Sequence, residues 1–424
     1  MQEQTGSKKW TVVTLLWCTM LASHVIRVAL GVVAPTLMKT YGISPKVMGY
    51  VLSGWNWAYT ACLLIAGPVV DRFGPWLMLG LGTGGWGVAT MLLPIASTAT
   101  ALFLMRALFG VAHSMLVPSN AKSISRWFHA KQRATAVGIS FSGNQVGLAI
   151  GTTIAAYILS GFGWEAVFYF VGGVSVLLAL LWFVVYPDKR VGRQAAPADT
   201  QSRASAEQVS WGSLLRYRAT WGIALGQMGY LYAYFFFMTW LPGYLVIERK
   251  MTLLRTGIYG SLPFWAGMLG TLCGGWLGDY LINHGVSRTA SRKGIIGAGL
   301  TTATILVVTA AYTADTMIAI TLLTLCMGSL RLATASVNSS PIDLAPPSAV
   351  ASLTSIQNFG GNIGGLLAPI VTGYIVEGTG SFVGALIMAG VMAMVGAISY
   401  VFLLGKFETL QIVPQRAVGV AQPA

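Results

Sequence analysis

Three arginines lie inside long apolar stretches of the chain: Arg27, Arg106 and Arg331. A charge at the centre of a membrane helix costs roughly 2.5–3.5 kcal/mol, so such residues usually face a water-filled cavity. A guanidinium is always charged, and its planar fork fits a carboxylate through two parallel hydrogen bonds. Because no Asp or Glu falls in the middle of an apolar stretch, we expect the counter-ion to be an anionic substrate with one or two carboxylates. Arg331 allows a second interpretation, in which its long side chain reaches to the membrane surface.

Two histidines, His24 and His113, stand in the same stretches and titrate near neutral pH. Nearby arginine charges oppose protonation of His113, whereas a bound anion favours it. This suggests that anion and proton load together, with His113 and His24 as proton-coupling residues and His24 also in contact with the substrate. The alternative is that both histidines are hydrogen-bonded packing residues.

Aromatic side chains are plentiful near the expected cavity. If several face inward, the site suits an aromatic or partly apolar acid better than a polyhydroxylated sugar acid, and Tyr230 and Tyr234 are our candidates for substrate contact. The alternative is that they pack between helices or form belts at the membrane interface. The set is Trp55, Trp57, Tyr230, Tyr232, Tyr234, Phe235, Phe236, Phe237 and Trp240.

The composition excludes a soluble enzyme. Apolar residues make up 55% of the chain and charged residues 9%, against about 25% charged in globular proteins, and the mean hydropathy is +0.69. The four cysteines all lie in apolar segments without a C-x-x-C spacing, so we expect no metal centre and no disulfide framework. We find no nucleophile–base constellation and expect neither catalysis nor a cofactor.

Twelve apolar runs of about 20 residues fit membrane-spanning helices. A polar stretch divides them six and six, which predicts an all-α integral membrane protein with a six-helix bundle at 1–187, a cytoplasmic linker at 188–219, a second six-helix bundle at 220–405 and a tail at 406–424. The runs cover 11–34, 48–68, 76–95, 98–118, 136–159, 164–186, 220–245, 256–278, 294–313, 316–338, 350–375 and 381–404.

The distribution of Lys and Arg predicts the orientation of these helices. With the N-terminus inside, 18 of the 26 basic residues fall in cytoplasmic segments, five outside and three within helices. Positive charge marks the cytoplasmic side, so we expect both termini in the cytoplasm and the protein in the cell (inner) membrane. The net charge of +14 therefore reflects topology in a lipid bilayer rather than nucleic-acid binding.

The two halves carry matching loops after their second helix. The first loop holds Gly67, Asp71, Arg72 and Gly74, and the second places Asp279 at the equivalent point. Six plus six helices with matching loops indicate two parallel repeats, with a substrate site near the membrane midplane between them and alternating access by rocking of the halves. We expect the acidic residues to pair with helix ends or nearby arginines and so to latch the cytoplasmic gate.

These loops, GPVVDRFG and GGWLGDYL, resemble the helix 2–3 signature of the major facilitator superfamily and its second-half copy. More narrowly, RALFGVAHSMLVPSNAKSISRWFHAKQRATAVGISFSGNQVGLAIG resembles helices 4 and 5 of the anion:cation symporter branch, which includes bacterial sugar-acid transporters and the animal sialin and vesicular glutamate carriers. The resemblance implies cotransport of an organic anion with a cation, usually a proton. It implies cavity-facing arginines at Arg27 and Arg106, and polar ligand contacts at Tyr59, Asn144, Gln145 and Asn358.

The chain departs from this branch at two positions. The sugar-acid members carry an acidic residue just before the helix 1 arginine and another seven positions after the helix 4 arginine, where this chain has Ile26 and His113. His24 stands where a tyrosine is common. The usual carboxylate proton relay is therefore absent, which puts inheritance of the branch's coupling in question.

Two functions remain open. The first is a proton-coupled symporter of a small organic carboxylate, and the second is an anion exchanger or uniporter that needs no proton relay. A cation exporter is disfavoured because buried arginines repel its substrates, and a receptor is disfavoured because we see no signalling domain. We expect a monomer, since the fold encloses its own substrate route.

Overall fold

The computed structural model describes residues 2–128, 130–186, 214–345 and 349–407, and helices dominate all four segments. Most of the predicted linker and tail lies outside these described residues. The helices are α1 Gln2–Tyr41, α2 Pro45–Phe73, α3 Pro75–Met91, α4 Ala99–His113, α5 Leu116–Trp127, α6 Ala130–Phe162, α7 Trp164–Val185, α8 Arg218–Ile247, α9 Leu253–Asn283, α10 Arg288–Tyr312, α11 Thr316–Leu332, α12 Thr334–Leu344, α13 Val350–Thr379 and α14 Val383–Ile398.

Within the described residues, ten helical spans are long and apolar enough to cross a membrane. Two of them are interrupted, since α4 continues into α5 and α11 into α12. The two long helices that do not meet this measure are α2 and α9, with 29 and 31 residues. Both pack against the opposite half, α2 on α13 and α9 on α6, so they need less apolar surface than a lipid-facing helix. Counting them gives the twelve predicted spans of a multi-pass membrane protein.

Glycine stripes join corresponding helices in the two halves. On α6, a Cβ at Gly143 would lie 2.7 Å from the Trp17 carbonyl of α1, and one at Gly151 would lie 2.8 Å from the Val25 Cα. On α13, a Cβ at Gly360 would meet the Ala224 carbonyl of α8. The fifth span of each half thus lies directly on the first, because neither interface leaves room for side chains. The same packing in both halves supports their description as repeats.

The halves meet toward one end of the bundle. We name this the far end, defined by Tyr41 and Pro45, and the opposite one the linker end, defined by Val185 and Arg218. Toward the far end, the Gly31 position of α1 lies against the Thr239 carbonyl of α8. Asn56 of α2 donates to the Asn362 carbonyl of α13 at 2.9 Å.

One turn from Asn362 toward the linker end, Asn358 is exposed on the same helix. The face of α13 that contacts the first half near Asn362 is therefore uncovered further along. The described conformation is closed at the far end and open toward the linker end.

Candidate substrate cavity

The fourth span of each half is broken near its middle, and both breaks adjoin the residues of interest. In the first half, α4 ends at His113, about two turns beyond Arg106, and α5 begins at Leu116. In the second half, α11 ends at Leu332, next to Arg331, and α12 begins at Thr334. Interrupted helices at corresponding positions of two repeats are typical of midplane binding sites in transporters. At both points the backbone keeps right-handed helical dihedrals, so each break is a local irregularity near the level of the buried cations.

Arg27 lies at the contact between the halves. Its Cζ is 4.0 Å from the centre of the Trp55 ring and 5.6 Å from that of Phe235. These two rings, one from α2 and one from α8, stack with centroids 5.8 Å apart and planes inclined by 12°. Arg27 Nη1 donates to His24 Nε2 at 3.0 Å, while its Nε finds no acceptor among the described residues. The guanidinium is thus held by ring faces and one neutral nitrogen, and not by a carboxylate.

Arg331 reaches the same level from the second half. Its Nη1 donates to the Tyr230 hydroxyl at 2.8 Å, and its Cζ lies 5.0 Å from the Tyr234 ring centre. The Tyr234 hydroxyl donates across the interface to Gln145 Oε1 at 3.1 Å. The side chain therefore points toward the contact between the halves, which argues against the interpretation that Arg331 reaches to the membrane surface.

Arg106 is the most enclosed of the three arginines, with 1% of its surface exposed. Its Cζ lies 4.9 Å from the Phe109 ring centre, and its Nε and Nη1 are buried without a hydrogen-bond partner in the described chain. The charges of Arg27 and Arg106 repel each other. Over the part of the chain with assigned burial, no Asp or Glu is buried. The cavity thus carries an excess of positive charge that an anion would balance.

His113 sits in a box of aromatic rings. The ring centres of Trp55, Tyr59, Trp86 and Phe109 lie 5.3–5.9 Å from that of the imidazole. The side chain is 3% exposed, and neither ring nitrogen has a hydrogen-bond partner among the described residues. Within the described residues, the imidazole is therefore held by ring contacts alone.

The remaining candidates for substrate contact differ in how far they are buried. Tyr59 and Asn144 are half-buried, and the buried Asn144 Oδ1 and Gln145 Nε2 have no partner in the described segments. Asn358 is exposed on the linker side of this level.

The aromatic side chains differ in the same way. Rings at the arginines come from Trp55, Tyr230, Tyr234 and Phe235, whereas Trp57 is 48% exposed. Trp240 packs against Phe382 and donates to the Pro369 carbonyl. The rings beside the arginines leave the cavity with both polar and apolar walls.

The predicted gating residues make their contacts within one half. Asp71 Oδ1 lies 2.9 Å from Lys122 Nζ of α5, in the same half, and Gly74 ends α2 with a φ of +84° that favours glycine. Gly67 is half-buried on α2, while Arg72 and Asp279 are exposed. Sequence reasoning missed the acidic residue that forms ion pairs in the second half. This is Asp343, whose Oδ1 lies 3.5 Å from Arg288 Nη1 and whose Oδ2 lies 3.3 Å from Arg292 Nε.

A second missed feature joins the halves at the far end. Glu377, at the end of α13, accepts from the backbone N–H of Lys46 in the first turn of α2 at 2.9 Å. The hydroxyls of Tyr50 and Tyr374 lie 3.2 Å apart across the same interface. Hydrogen bonds from the Ser44 hydroxyl and the Lys46 N–H hold the pKa of Glu377 below its ordinary value. A single acidic residue near a helix end gave no signal of this clasp in the sequence.

Comparison with known proteins identifies the fold independently. The Major Facilitator Superfamily matches residues 16–330. A solved bacterial homologue of the human lysosomal transporter Spinster, in an inward-facing and unoccupied conformation, superposes with a TM-score of 0.73 at 17% identity, covering 94% of this chain and 95% of the other. The predicted all-α membrane fold with twelve spans in two repeats is confirmed.

Three curated relatives align along most of their lengths. The D-galactonate transporter of Escherichia coli O6:H1 (strain CFT073) is 31% identical, covering 95% of this chain and 97% of the relative. A probable L-galactonate transporter of Escherichia coli (strain K12) is 32% identical, covering 93% and 89%. The hexuronate transporter of Bacillus subtilis (strain 168) is 28% identical, covering 93% and 94%. The suspected resemblance to sugar-acid transporters is confirmed by these matches.

Proposed function

Because the chain belongs to the major facilitator superfamily of membrane transporters, and so is not an enzyme, we propose that it is a secondary transporter of a small organic anion. Transport proceeds by alternating access between the two six-helix halves, residues 1–187 and 220–405. The substrate carries one or two carboxylates and binds at the midplane, in contact with Arg27, Arg106 and Arg331.

One observation carries this proposal: Arg27 and Arg331 approach the contact between the halves from opposite sides, Arg106 lies within electrostatic reach of Arg27, and no carboxylate is buried in the described chain where burial is assigned. An unpaired buried charge is costly, so the site favours occupation by an anion. The galactonate and hexuronate named for the relatives are carboxylates, which supports the same class. The Trp55–Phe235 stack and Tyr59 add apolar wall, so an acid with an aromatic or partly apolar body also fits.

The charge distribution supports an orientation in the cell's inner membrane with both termini and the linker on the cytoplasmic side. The linker end is then the cytoplasmic end, and the described conformation is inward-open. In the opposite state, Asp71 and Asp279 of the two gating loops would approach the other half and close this end. The protein acts as a monomer in the bilayer.

Proton-coupled symport is the mechanism we propose, with His24 and His113 as the coupling candidates. Both are buried at the arginine level and both are groups that titrate near neutral pH. The alternative is an anion exchanger or uniporter without proton coupling, and the lack of a buried carboxylate among the described residues favours it. Countertransport distinguishes the two: an exchanger needs a trapped anion for uptake into liposomes, and a symporter does not.

A binding panel on the purified protein tests the substrate class. The probes are D-galactonate, D-glucarate, D-glucuronate and benzoate, each compared with an uncharged amide analogue. We expect at least one carboxylate to raise the melting temperature and its amide to leave it unchanged. Stabilisation by amides or by organic cations, with no response to any carboxylate, would contradict the proposal.

A further inference from the structure

We propose that His24 is the residue that takes the co-transported proton, and that the substrate carboxylate opens this site by displacing Arg27 from the imidazole. The inference rests on the proposed anion transport. Sequence reasoning named His24 and His113 together, and the geometry separates them.

The hydrogen bonds of His24 fix its tautomer. Its Nε2 lies 3.0 Å from Arg27 Nη1, and a guanidinium can only donate, so Nε2 must be the acceptor and carry no proton. The ring proton is then on Nδ1, which lies 2.9 Å from the Met20 carbonyl and 3.0 Å from Ser23 Oγ. The Ser23 hydroxyl donates to the same Met20 carbonyl, which leaves its oxygen free to accept. Without an anion, His24 is held neutral by the residue that would bind one.

The charged groups that act on His24 before an anion arrives are cations. The charges of Arg27 on its own helix and Arg331 on α11 both act on the imidazole. His113 on α4 is a further titratable group that interacts with it. From α6, the backbone of Gly147 lies against the His24 Cβ and brings no charge. Arg27 thus bonds to the imidazole directly, and the charge of Arg331 acts on it from the opposite half.

Anion binding reverses this balance at a named atom. When a carboxylate accepts from Arg27 Nη1, the hydrogen bond to His24 Nε2 is lost and its lone pair is exposed. A proton from solvent adds to Nε2, and the resulting N–H donates to the carboxylate, while Nδ1–H keeps its bond to Met20. Arg27 stays protonated throughout. One proton enters with each anion. When the anion leaves, Arg27 and the protonated His24 are adjacent cations, and their repulsion releases the proton.

His113 lacks this arrangement. Its nitrogens face aromatic rings, and no hydrogen bond joins it to a guanidinium within the described residues. A carboxylate bound to Arg27 would therefore change the hydrogen-bond partner of a His24 nitrogen directly. It would act on His113 only through longer-range electrostatics.

Nitrogen-15 NMR of the purified, histidine-labelled protein tests the proposal, because the chain has only four histidines and each signal can be assigned from a His→Gln variant. At pH 6 without anion, we expect His24 as the neutral Nδ1–H tautomer, which is the minor form of free histidine. Addition of D-galactonate or D-glucarate should convert it to the doubly protonated imidazolium. His24 that stays neutral while the anion demonstrably binds would overturn the proposal and leave anion transport standing.

The His24→Gln variant gives a second readout, since its amide oxygen can accept from Arg27 but does not titrate. In the unmodified protein, anion affinity should rise by up to about tenfold for each unit of decrease in pH across the linked range. In His24→Gln, the anion should bind with an affinity independent of pH. His284→Gln, at the exposed end of α9, is the matched control and should keep the full dependence. Loss of the dependence in His113→Gln with its retention in His24→Gln would refute the assignment. If no carboxylate binds the unmodified protein, the proposed function itself fails.

Discussion

At the scale of single residues, the cavity is built from guanidiniums whose partners are mostly rings and hydroxyls. Arg106 shows the consequence most sharply: its Nε and Nη1 are buried and find no acceptor among the described residues, and a buried charge without full compensation destabilises the empty protein. The same group gains most when a carboxylate arrives, since a charge-assisted pair contributes about 1.5–3 kcal/mol. Arg106 thus lowers the stability of the empty protein and raises its affinity for the anion.

We therefore expect Arg106→Gln to weaken anion binding by about tenfold to a hundredfold while leaving the melting temperature of the anion-free protein unchanged or higher. Differential scanning fluorimetry and a radioligand binding assay measure the two effects. The matched control is Arg249→Gln, whose guanidinium donates to the Tyr244 hydroxyl and to the carbonyls of Ala310, Thr313 and Ala314. That variant should lower the melting temperature and leave binding intact. Destabilisation by Arg106→Gln equal to that of the control would show that Arg106 is a structural residue.

Arg331 belongs to the opposite half from Arg27 and Arg106, which gives it a distinct role in selectivity. A substrate with two carboxylates can bind arginines of both halves at once, whereas a substrate with one carboxylate binds the arginines of one half. We expect Arg331→Gln to weaken binding of D-glucarate by at least about tenfold and that of D-galactonate by much less. Arg27→Gln should weaken both. Equal losses of affinity for the two anions in Arg331→Gln would contradict a site in which the arginines of each half bind one carboxylate.

The sequence identifies these residues but not their partners. Arg27, Arg106 and Arg331 stand out because charge inside an apolar run is rare. The ring box of His113 draws on α2, α3 and α4, and the Trp55–Phe235 stack joins residues 180 positions apart in different halves. Such proximity depends on how helices rotate about their axes, and no local spacing encodes it.

At the scale of elements, the close approach of α1 and α6 positions both His24 and Gln145. The backbone of Gly147 lies against the Leu21 carbonyl and the His24 Cβ, so a side chain there would push α1, and Arg27 with it, away from α6. Gly138 on the same helix has open space around it and serves as the matched position.

We expect Gly147→Ala to destabilise the protein by roughly 1–3 kcal/mol through overpacking and to reduce anion affinity. Gly138→Ala should be neutral or should stabilise by roughly 0.5–1 kcal/mol, because alanine restricts the unfolded chain. Thermal unfolding of both variants, with and without D-galactonate, provides the comparison. An unaffected Gly147→Ala would mean that α1 and α6 are not held in register by this stripe.

The apolar runs locate the spans but not their interruptions. The predicted runs 98–118 and 316–338 each read as one helix, whereas the structure breaks them near Ser114 and at Ala333. Pro118, four residues after Ser114, has no N–H to donate to the Ser114 carbonyl and accounts for the first break, whereas no proline lies within four residues of Ala333. Tertiary contacts, such as the Tyr230–Thr334 hydrogen bond at 2.9 Å, set the local conformation there.

At the scale of the whole molecule, the far-end clasp at Glu377 couples closure to the pH on that side. The carboxylate has a lowered pKa in the closed state because Ser44 and the Lys46 N–H bond its ionised form. A carboxylate whose pKa is lowered in one state stabilises that state at pH values above the ordinary pKa of the group. This stabilisation is lost as the pH falls through the lowered pKa. The clasp thus favours closure of the far end at neutral pH.

We expect the far end to stay closed at pH values above the ordinary pKa of a glutamate, about 4.3, and to open increasingly as the pH falls further below it and Glu377 becomes protonated. Spin labels at Ser97 and Arg255, both exposed near this end, report the distance between the halves in a variant without native cysteines. Glu377→Gln should shift the distances toward the open state at pH 7 and abolish the acid response. An acid response retained in Glu377→Gln would assign it to other groups.

Uptake of radiolabelled D-galactonate and D-glucarate into proteoliposomes, with and without an inward proton gradient, tests the central claim most directly. The account expects at least one of these anions to accumulate above its external concentration when the gradient is present. It expects accumulation to vanish in Arg106→Gln, and His24→Gln to equilibrate the anion without accumulating it. Uptake that ignores the gradient and requires a trapped internal anion would make the protein an exchanger. Failure to transport either anion under any gradient, by protein that is folded and correctly inserted, would contradict the account.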